Sequence, residues 1–264
     1  MLVDCHTHLE SFADSEIAGL LNRARNSNVG LIITAGTTMS SSIRSVELSN
    51  AFPSIFAGIG LHPMDLTREP DHSMLDHLTD LAASSPKILV LSEIGLDFMD
   101  GAPDRAIQFS AFRKQIGIAR EVGLPIVFHS RESHPEVLRV LREERGYEVG
   151  GIMHYFQADQ KTANEVIDLG FHISLARPLL RIPELQKLVC NLPLEKIVLE
   201  TDSAPQPFKK NRDNWTEPRH IKPIAEKLAN IQDRSISEVE RVTTSNIKKL
   251  LGERWKIVED YVDE

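Results

Sequence analysis

Residues 88–131 decide the fold. An apolar run, Ile88-Leu89-Val90-Leu91, ends in Ser92-Glu93-Ile94-Gly95-Leu96-Asp97. Beyond Pro103, the residues Phe109, Phe112, Ile116 and Ala119 fall at spacings of three and four, a helical face that Gly123 closes. A second run, Pro125-Ile126-Val127-Phe128, follows at once and ends in His129-Ser130-Arg131. Short continuous apolar runs mark parallel strands buried on both faces. Strand, helix and strand in that order make a right-handed crossover.

The same rhythm extends both ways. Leu2-Val3, Leu31-Ile32-Ile33 and residues 55–59 precede this unit; Gly151-Ile152-Met153, residues 173–176 and Ile197-Val198-Leu199 follow it. Ala163, Val166 and Ile167 mark a helix that Gly170 stops, and Ser235 with Glu238 forms a capping-box pattern ahead of Val239 and Val242. Eight such units in 264 residues predict an α/β fold, a closed (β/α)8 TIM barrel spanning residues 1–264 as one domain. Additional C-terminal helices, about residues 218–252, are expected to pack outside it.

Composition narrows the class. Hydrophobic residues make up 41% of the chain, enough for a large core, yet no run approaches the ~18 residues of a membrane span. The start, Met1-Leu2-Val3-Asp4, does not read as a secretory leader, and two cysteines, Cys5 and Cys190, suit a reducing compartment. A cytoplasmic protein without membrane association or an obligate protein partner is expected. The net charge of −8 argues against a broad basic face for nucleic acid. It leaves open an enzyme acting on nucleic acid, because bound cations supply positive charge locally.

The chemistry sits where the runs stop. The first ends in Asp4-Cys5-His6-Thr7-His8, the third in Gly60-Leu61-His62-Pro63, the sixth in His154-Tyr155-Phe156 and the eighth in Glu200-Thr201-Asp202-Ser203. In a barrel these ends share one mouth. Residues two apart on a strand point the same way, so His6 and His8 face one space. Alone, that pair is equally well a surface feature. Joined by Glu93, His129, His154 and Asp202 it becomes a ligand set, and mixed histidine and carboxylate suits transition metals better than calcium. Six groups exceed the needs of one tetrahedral ion, so two divalent cations bridged by Glu93 are expected. Asp202 is the expected general base. His62 and Arg131 are expected to bind substrate, Arg131 as a bidentate grip on phosphate or carboxylate. The loop at residues 203–216 carries Lys209, Lys210, Arg212 and Trp215, groups able to neutralise phosphates and stack a base, or simply to form a solvated loop with Trp215 tucked on the barrel. His72, His77, His134, His172 and His220 read as ordinary.

Taken in order, these motifs resemble the TatD-type metal-dependent deoxyribonucleases among the amidohydrolase-like barrels. The likeness runs from Val3-Asp4-Cys5-His6-Thr7-His8-Leu9 through Glu93-Ile94-Gly95-Leu96-Asp97 to Glu200-Thr201-Asp202-Ser203 and the helix around Asn246. It implies ligand roles for His6, His8, Glu93, His129, His154 and Asp202. It also implies hydrolysis of DNA, single-stranded or at ends, as a 3′-to-5′ exonuclease. Mg²⁺ or Mn²⁺ would support activity, and Zn, Fe or Ni are alternative occupants. Two stretches depart from the family pattern. Only Glu217-Pro218 matches its Asn-Glu-Pro, and Gln157-Ala158-Asp159 replaces a small glycine-containing turn. Both border the mouth and bear on substrate more than on metal. A different hydrolase of the same barrel is the alternative, acting on amides or esters, aminoacyl-tRNA included. A non-enzymatic metal-sensing or scaffold barrel is the third, and the complete ligand set weighs against it.

Overall fold

The computed structural model describes residues 1–262. Eight strands alternate with helices: β1 (Leu2–Thr7), α1 (Asp14–Arg25), β2 (Val29–Ala35), α2 (Met39–Ala51), β3 (Ile55–Ile59), α3 (His72–Ala83), β4 (Ile88–Asp97), α4 (Arg105–Val122), β5 (Ile126–Arg131), α5 (His134–Glu143), β6 (Gly151–Met153), α6 (Gln160–Asp168), β7 (His172–Leu175), α7 (Pro183–Val189) and β8 (Ile197–Leu199). Each strand pairs in parallel with its sequence neighbour. The ring closes where Asp202 N donates to His6 O (3.0 Å) and His8 N to Ser203 O (2.8 Å). This is the (β/α)8 TIM barrel expected from the run pattern.

Local chemistry sets the helix ends. Asp71, Asp104 and Asp159 cap α3, α4 and α6 by accepting backbone N–H groups of the first turn, and Gly123 ends α4 in the left-handed region at φ 67°. Ser235 caps α9 (Ile236–Leu251), accepting from Glu238 N at 3.2 Å. The reciprocal half of the expected box is not made, because the Glu238 carboxylate pairs with Arg234 at 2.9 Å.

Two apolar clusters divide the interior. The larger lies between the strands and the helical ring. The smaller holds Val3, Cys5, Leu31, Ile33, Phe56, Leu89, Val127, Ile152 and Val198 from seven strands, with Ile247, Leu251, Trp255 and Val258 beneath them. These strand residues fill the barrel's inside. The last four belong to the end of α9 and to α10 (Trp255–Val262), which plug its floor. The expected C-terminal helices are α8 (Ile221–Gln232) and α9; α10 extends beyond them. No described helix is long and apolar enough to cross a membrane. Both thiols are free, Cys5 buried and Cys190 exposed.

Two strands run further than their apolar residues. The expected Leu2-Val3 run is a strand to Thr7, and the run that stops at Leu91 is a strand to Asp97. Both contain an irregularity where the register shifts. Asp4 and Thr7, three apart, face Ile32 and Thr34, two apart; Leu91 and Ile94 face Ile126 and Phe128 in the same way. One extra residue inverts the alternation of faces, which re-aims every side chain beyond it. Cys5 therefore packs inside the barrel and His6, the next residue, faces inward as well. Ile94 and Leu96 turn to the outer cluster, leaving Glu93 and Asp97 to the inside.

Candidate metal centre

At the strands' C-terminal ends, Glu93 stands at the centre of the imidazoles. Its Oε2 lies 3.4 Å from His6 Nε2 and 3.7 Å from His8 Nε2. Its Oε1 lies 2.7 Å from His129 Nδ1, 3.2 Å from His154 Nε2 and 3.4 Å from His62 Nε2. Asp202 closes the first side, with Oδ1 at 3.4 Å from His8 Nε2 and 4.0 Å from His6 Nε2. All six expected ligand residues are brought together. The two oxygens of one carboxylate face two separate groups of nitrogens.

The outward-facing nitrogens explain how the rings are held. His8 Nδ1 donates to the carbonyl of Ala35 at 2.9 Å, which leaves the Nε2 lone pair directed inward. His129 Nε2 meets Asp97 Oδ2 at 2.8 Å, and His154 Nδ1 lies 3.0 Å from Glu200 Oε1. Asp97 and Glu200 are wholly buried, and sequence reasoning does not single them out although both stand in the quoted motifs. An even spacing was the available signal: Asp97 is four residues from Glu93, and Glu200 two from Asp202. His62 differs from the other imidazoles. Its Nδ1 accepts from Met64 N at 3.1 Å, so the neutral ring carries its proton on Nε2, toward Glu93. That is a donor rather than a ligand lone pair.

Steric fit keeps β4 against β5 here. A side chain on Gly95 (φ 153°) would place its Cβ 2.0 Å from the His129 carbonyl oxygen. The loops beyond turn sharply, with Glu132, Tyr155 and Asp202 all at positive φ. Left-handed backbone at a ring as large as Tyr155 costs roughly 1–3 kcal/mol and belongs to sites whose surroundings enforce it.

Charge in the centre is mutually set. Burial would raise the Asp202 carboxyl, but the bond from His8 and the charges of His154, His8 and His6 bring it down to about 2. Burial acts likewise on Glu93; the neighbouring imidazoles of His154 and His62, with the bond from His129, hold it well below the usual range. Burial would lower His154, yet Glu200 and Glu93 push it up to about 10. Burial and the charge of His154 push His6 down. Both carboxylates are therefore ionised at neutral pH.

The donor set fits a cation on an independent ground. His6 Nε2 is buried and has no hydrogen-bond partner among the described residues. Its neighbours surround it at distances too long for bonding and suited to a shared ion, with metal–ligand bonds of about 2.0–2.2 Å on either side. His6, His8 and Glu93, then His6, His154 and Asp202, each offer ligand atoms within 4.8 Å of one another; His62, Glu93 and His129 form a third such group.

Above the centre opens a cleft of about 570 Å³, lined by His129, Arg131, His134, His154, Tyr155 and Asp202 among others. Arg131 reaches it half-exposed, with Nε 3.2 Å from Asp97 Oδ2. His134, expected to be ordinary, lines the same cleft and bonds Ser130 Oγ at 2.7 Å. Of the two forms expected for the loop at 203–216, Trp215 takes the one in which it is tucked against the barrel. Arg212 pairs with Glu16 (2.8 Å) and Glu217 (3.3 Å), and its guanidinium stacks 4.5 Å over Trp215, which packs toward Phe12. Neither residue is free for substrate, because the buried Glu217 gathers Arg23, Arg212 and Arg219 to fasten the loop down. The loop's exposed aromatic is Phe208, at 78%.

Comparison with known proteins agrees with this arrangement. A family model described as "TatD related DNase" matches residues 3–252. The "Uncharacterized metal-dependent hydrolase YabD" of Bacillus subtilis is 31% identical, over 95% of this chain and 98% of its own. The "3'-5' ssDNA/RNA exonuclease TatD" of Edwardsiella piscicida is 29% identical, covering 89% and 93%. Among solved structures, YJJV, a TatD homologue from Escherichia coli K12, superposes with a TM-score of 0.85 at 24% identity, covering 94% and 97%. With nearly its whole length matched, the chain belongs to the TatD-related DNase family and is a metal-dependent hydrolase of that family.

Proposed function

We propose that the protein is a divalent-metal-dependent deoxyribonuclease that removes nucleotides 3′ to 5′ from single-stranded DNA or DNA ends. One observation carries this reading: Glu93 turns its two oxygens to two different sets of imidazoles, the arrangement of a carboxylate that bridges two cations. The names of relatives point the same way, one being a 3′-5′ exonuclease.

His6 and His8 with Glu93 Oε2, and His129 and His154 with Glu93 Oε1, would hold the two ions, with Asp202 reaching the first. Bound there, divalent cations supply a water of near-neutral pKa and offset charge on the phosphoryl group. Asp202 is the ligand that reaches solvent, its side chain 31% exposed, and it is ionised at neutral pH. It accepts the proton of the attacking water as general base. His62 presents its Nε2 proton and Arg131 its Nη2, Nη1 donating to Met99 Sδ at 3.0 Å, to phosphate oxygens, orienting the ester for in-line attack. Asp97 and Glu200 keep the rings of His129 and His154 turned inward.

The test is Asp202→Asn in metal-loaded protein. Cleavage of a labelled single strand is expected to fall at least about 10³-fold, equivalent to roughly 4 kcal/mol, with circular dichroism unchanged. Retained cleavage removes Asp202 as the base. Metal analysis after chelator-free purification is expected to find bound transition metal, and EDTA to abolish activity. A panel adding aminoacyl-tRNA and small esters tests the alternative: rapid ester hydrolysis with inert DNA overturns the nuclease reading.

A further inference from the structure

Most guanidiniums of this acidic chain are paired with carboxylates, as Arg23, Arg113 and Arg142 illustrate. A few are not, and two of these, Arg177 and Arg181, begin and end the short turn that follows β7 at the mouth of the barrel. Neither has a carboxylate within 4.0 Å among the described residues. Arg177 begins the short 3-10 turn that follows β7. Its Nη1 donates to Thr216 Oγ1 at 2.7 Å, and Thr216 N donates to Gln206 Oε1 at 2.9 Å. The same Gln206 oxygen accepts from Lys209 Nζ at 2.7 Å, and Lys209 also bonds the carbonyl of Asn214 at 2.9 Å. Two cations are thus fixed in one network whose acceptors are all neutral. Lys209 is close enough that its ammonium is pushed down, by desolvation and then by the charges of Arg177 and Arg181.

Register places this cluster. Leu175 of β7 pairs with Leu199 of β8. Arg177 follows Leu175 by two residues and Asp202 follows Leu199 by three, so both leave neighbouring strands, about 5 Å apart between backbones, at the same end of the barrel. That step is comparable with the spacing of successive phosphates along a single strand. Like charges held together without counter-ions are costly unless an anion joins them, and planar guanidiniums suit phosphate oxygens.

We propose that Arg177, Arg181 and Lys209 form a second anion site on the rim, which takes the backbone phosphate adjoining the scissile one in a single-stranded oligonucleotide. This rests on the nuclease reading above and adds to it a requirement on the substrate: a neighbouring phosphate.

The experiment compares two diesters in metal-loaded protein. Bis(p-nitrophenyl) phosphate has one phosphodiester and no neighbour; a pentathymidylate has several. In Arg177→Gln/Arg181→Gln the ratio of kcat/KM for the oligonucleotide to that for the small diester is expected to fall at least tenfold, mainly through KM. The salt dependence of log kcat/KM for the oligonucleotide is expected to flatten by roughly 0.7 for each phosphate that the variant no longer neutralises. Equal loss on both substrates, or an unchanged ratio, overturns the proposal. Lys209→Gln reads the same ratio, with a smaller fall expected, should the double variant fail to fold. If the wild-type protein cleaves neither diester, the nuclease reading fails by itself. Anisotropy of a labelled pentathymidylate then decides the site: tenfold weaker binding by the arginine variant keeps it, and equal binding removes it.

Discussion

The mouth and the floor of the barrel both bury charge, and they do so in opposite ways. At the floor, Lys87, the residue before β4, is 4% exposed and has no carboxylate partner among the described residues. Its ammonium donates to the carbonyls of Ser49, Phe52 (2.8 Å) and Pro53 (3.4 Å) at the end of α2, and lies 4.9 and 4.6 Å from the ring centroids of Phe56 and Tyr261. An ammonium has three protons, and all three are used. At the mouth, by contrast, His6 Nε2 and Glu200 Oε2 are buried without a hydrogen bond among the described residues, and of the five imidazoles around Glu93 only His129 comes to 2.7 Å while the other four stand 3.2–3.7 Å off. A saturated buried charge serves the fold. An unsaturated one serves something that arrives later.

The largest effect expected from this contrast is at Glu93. Glu93→Gln keeps the shape and removes the bridging charge. Metal-supported cleavage is expected to fall by about 10³-fold or more, some 4 kcal/mol, while the melting temperature of EDTA-treated protein does not fall. A variant that melts early and keeps its activity would invert the comparison.

Lys87 tests the other end. Lys87→Met retains length and apolar stem but strands the carbonyls that end α2. Each buried polar group left unpaired costs about 1–3 kcal/mol, so a loss on the order of 3 kcal/mol is expected. For a chain of this size that lowers Tm by roughly 6–12 °C. Below the transition, kcat/KM is expected to stay within about twofold of the unaltered protein. Activity loss without destabilisation would show that floor and mouth are coupled.

Asp97 stands between the two types, a buried carboxylate that meets both His129 and Arg131 yet borders the reaction space. Asp97→Asn is expected to weaken metal affinity or activity by about 10–100-fold, as is usual when the partner that orients a ligand imidazole loses its charge. Metal titration separates this from a folding defect. An unaltered metal affinity and turnover would mean that β5 alone positions the ring.

What could be read from the chain follows the same division. Strands appear in sequence as apolar runs because parallel strands bury both faces, and the eight runs lie at the eight strands. Their lengths were illegible where function intervenes: β4 continues through Ser92-Glu93 to Asp97, and a polar residue facing the mouth looks like the end of a run. The candidate ligand set was legible because it follows the runs. The extra residues in β1 and β4 were not, since a register shift depends on the neighbouring strand. Trp215 is visible as an aromatic in a basic loop, but whether it meets solvent or Phe12 is settled by Glu217 drawing Arg212 and Arg23 together from distant stretches. Phe208, the exposed one, has no pattern to mark it.

The smallest expected effect concerns a floor histidine and pH. His172 opens β7, at the end of the barrel away from the metal centre, and is 9% exposed. Burial first, then the charges of Lys196 and Lys249, push it down to about 4. An unfolded chain would titrate it near 6.5. Between those values the unfolded state binds the extra proton, so stability rises with pH across the window. The contribution is complete above about 6.5, is lost as pH falls toward 4, and changes no further below that. Between pH 7.5 and 5 the loss amounts to roughly 2 kcal/mol. Burial also pushes His6 and His134 down at the mouth, so the measurement is a difference: urea midpoints of the unaltered protein and of His172→Gln at pH 7.5 and 5, both in EDTA. The variant is expected to lose less stability on acidification. Parallel curves would mean that His172 takes up a proton in the folded barrel as readily as in water. The floor would then not be the dry end that Lys87 and α10 make of it.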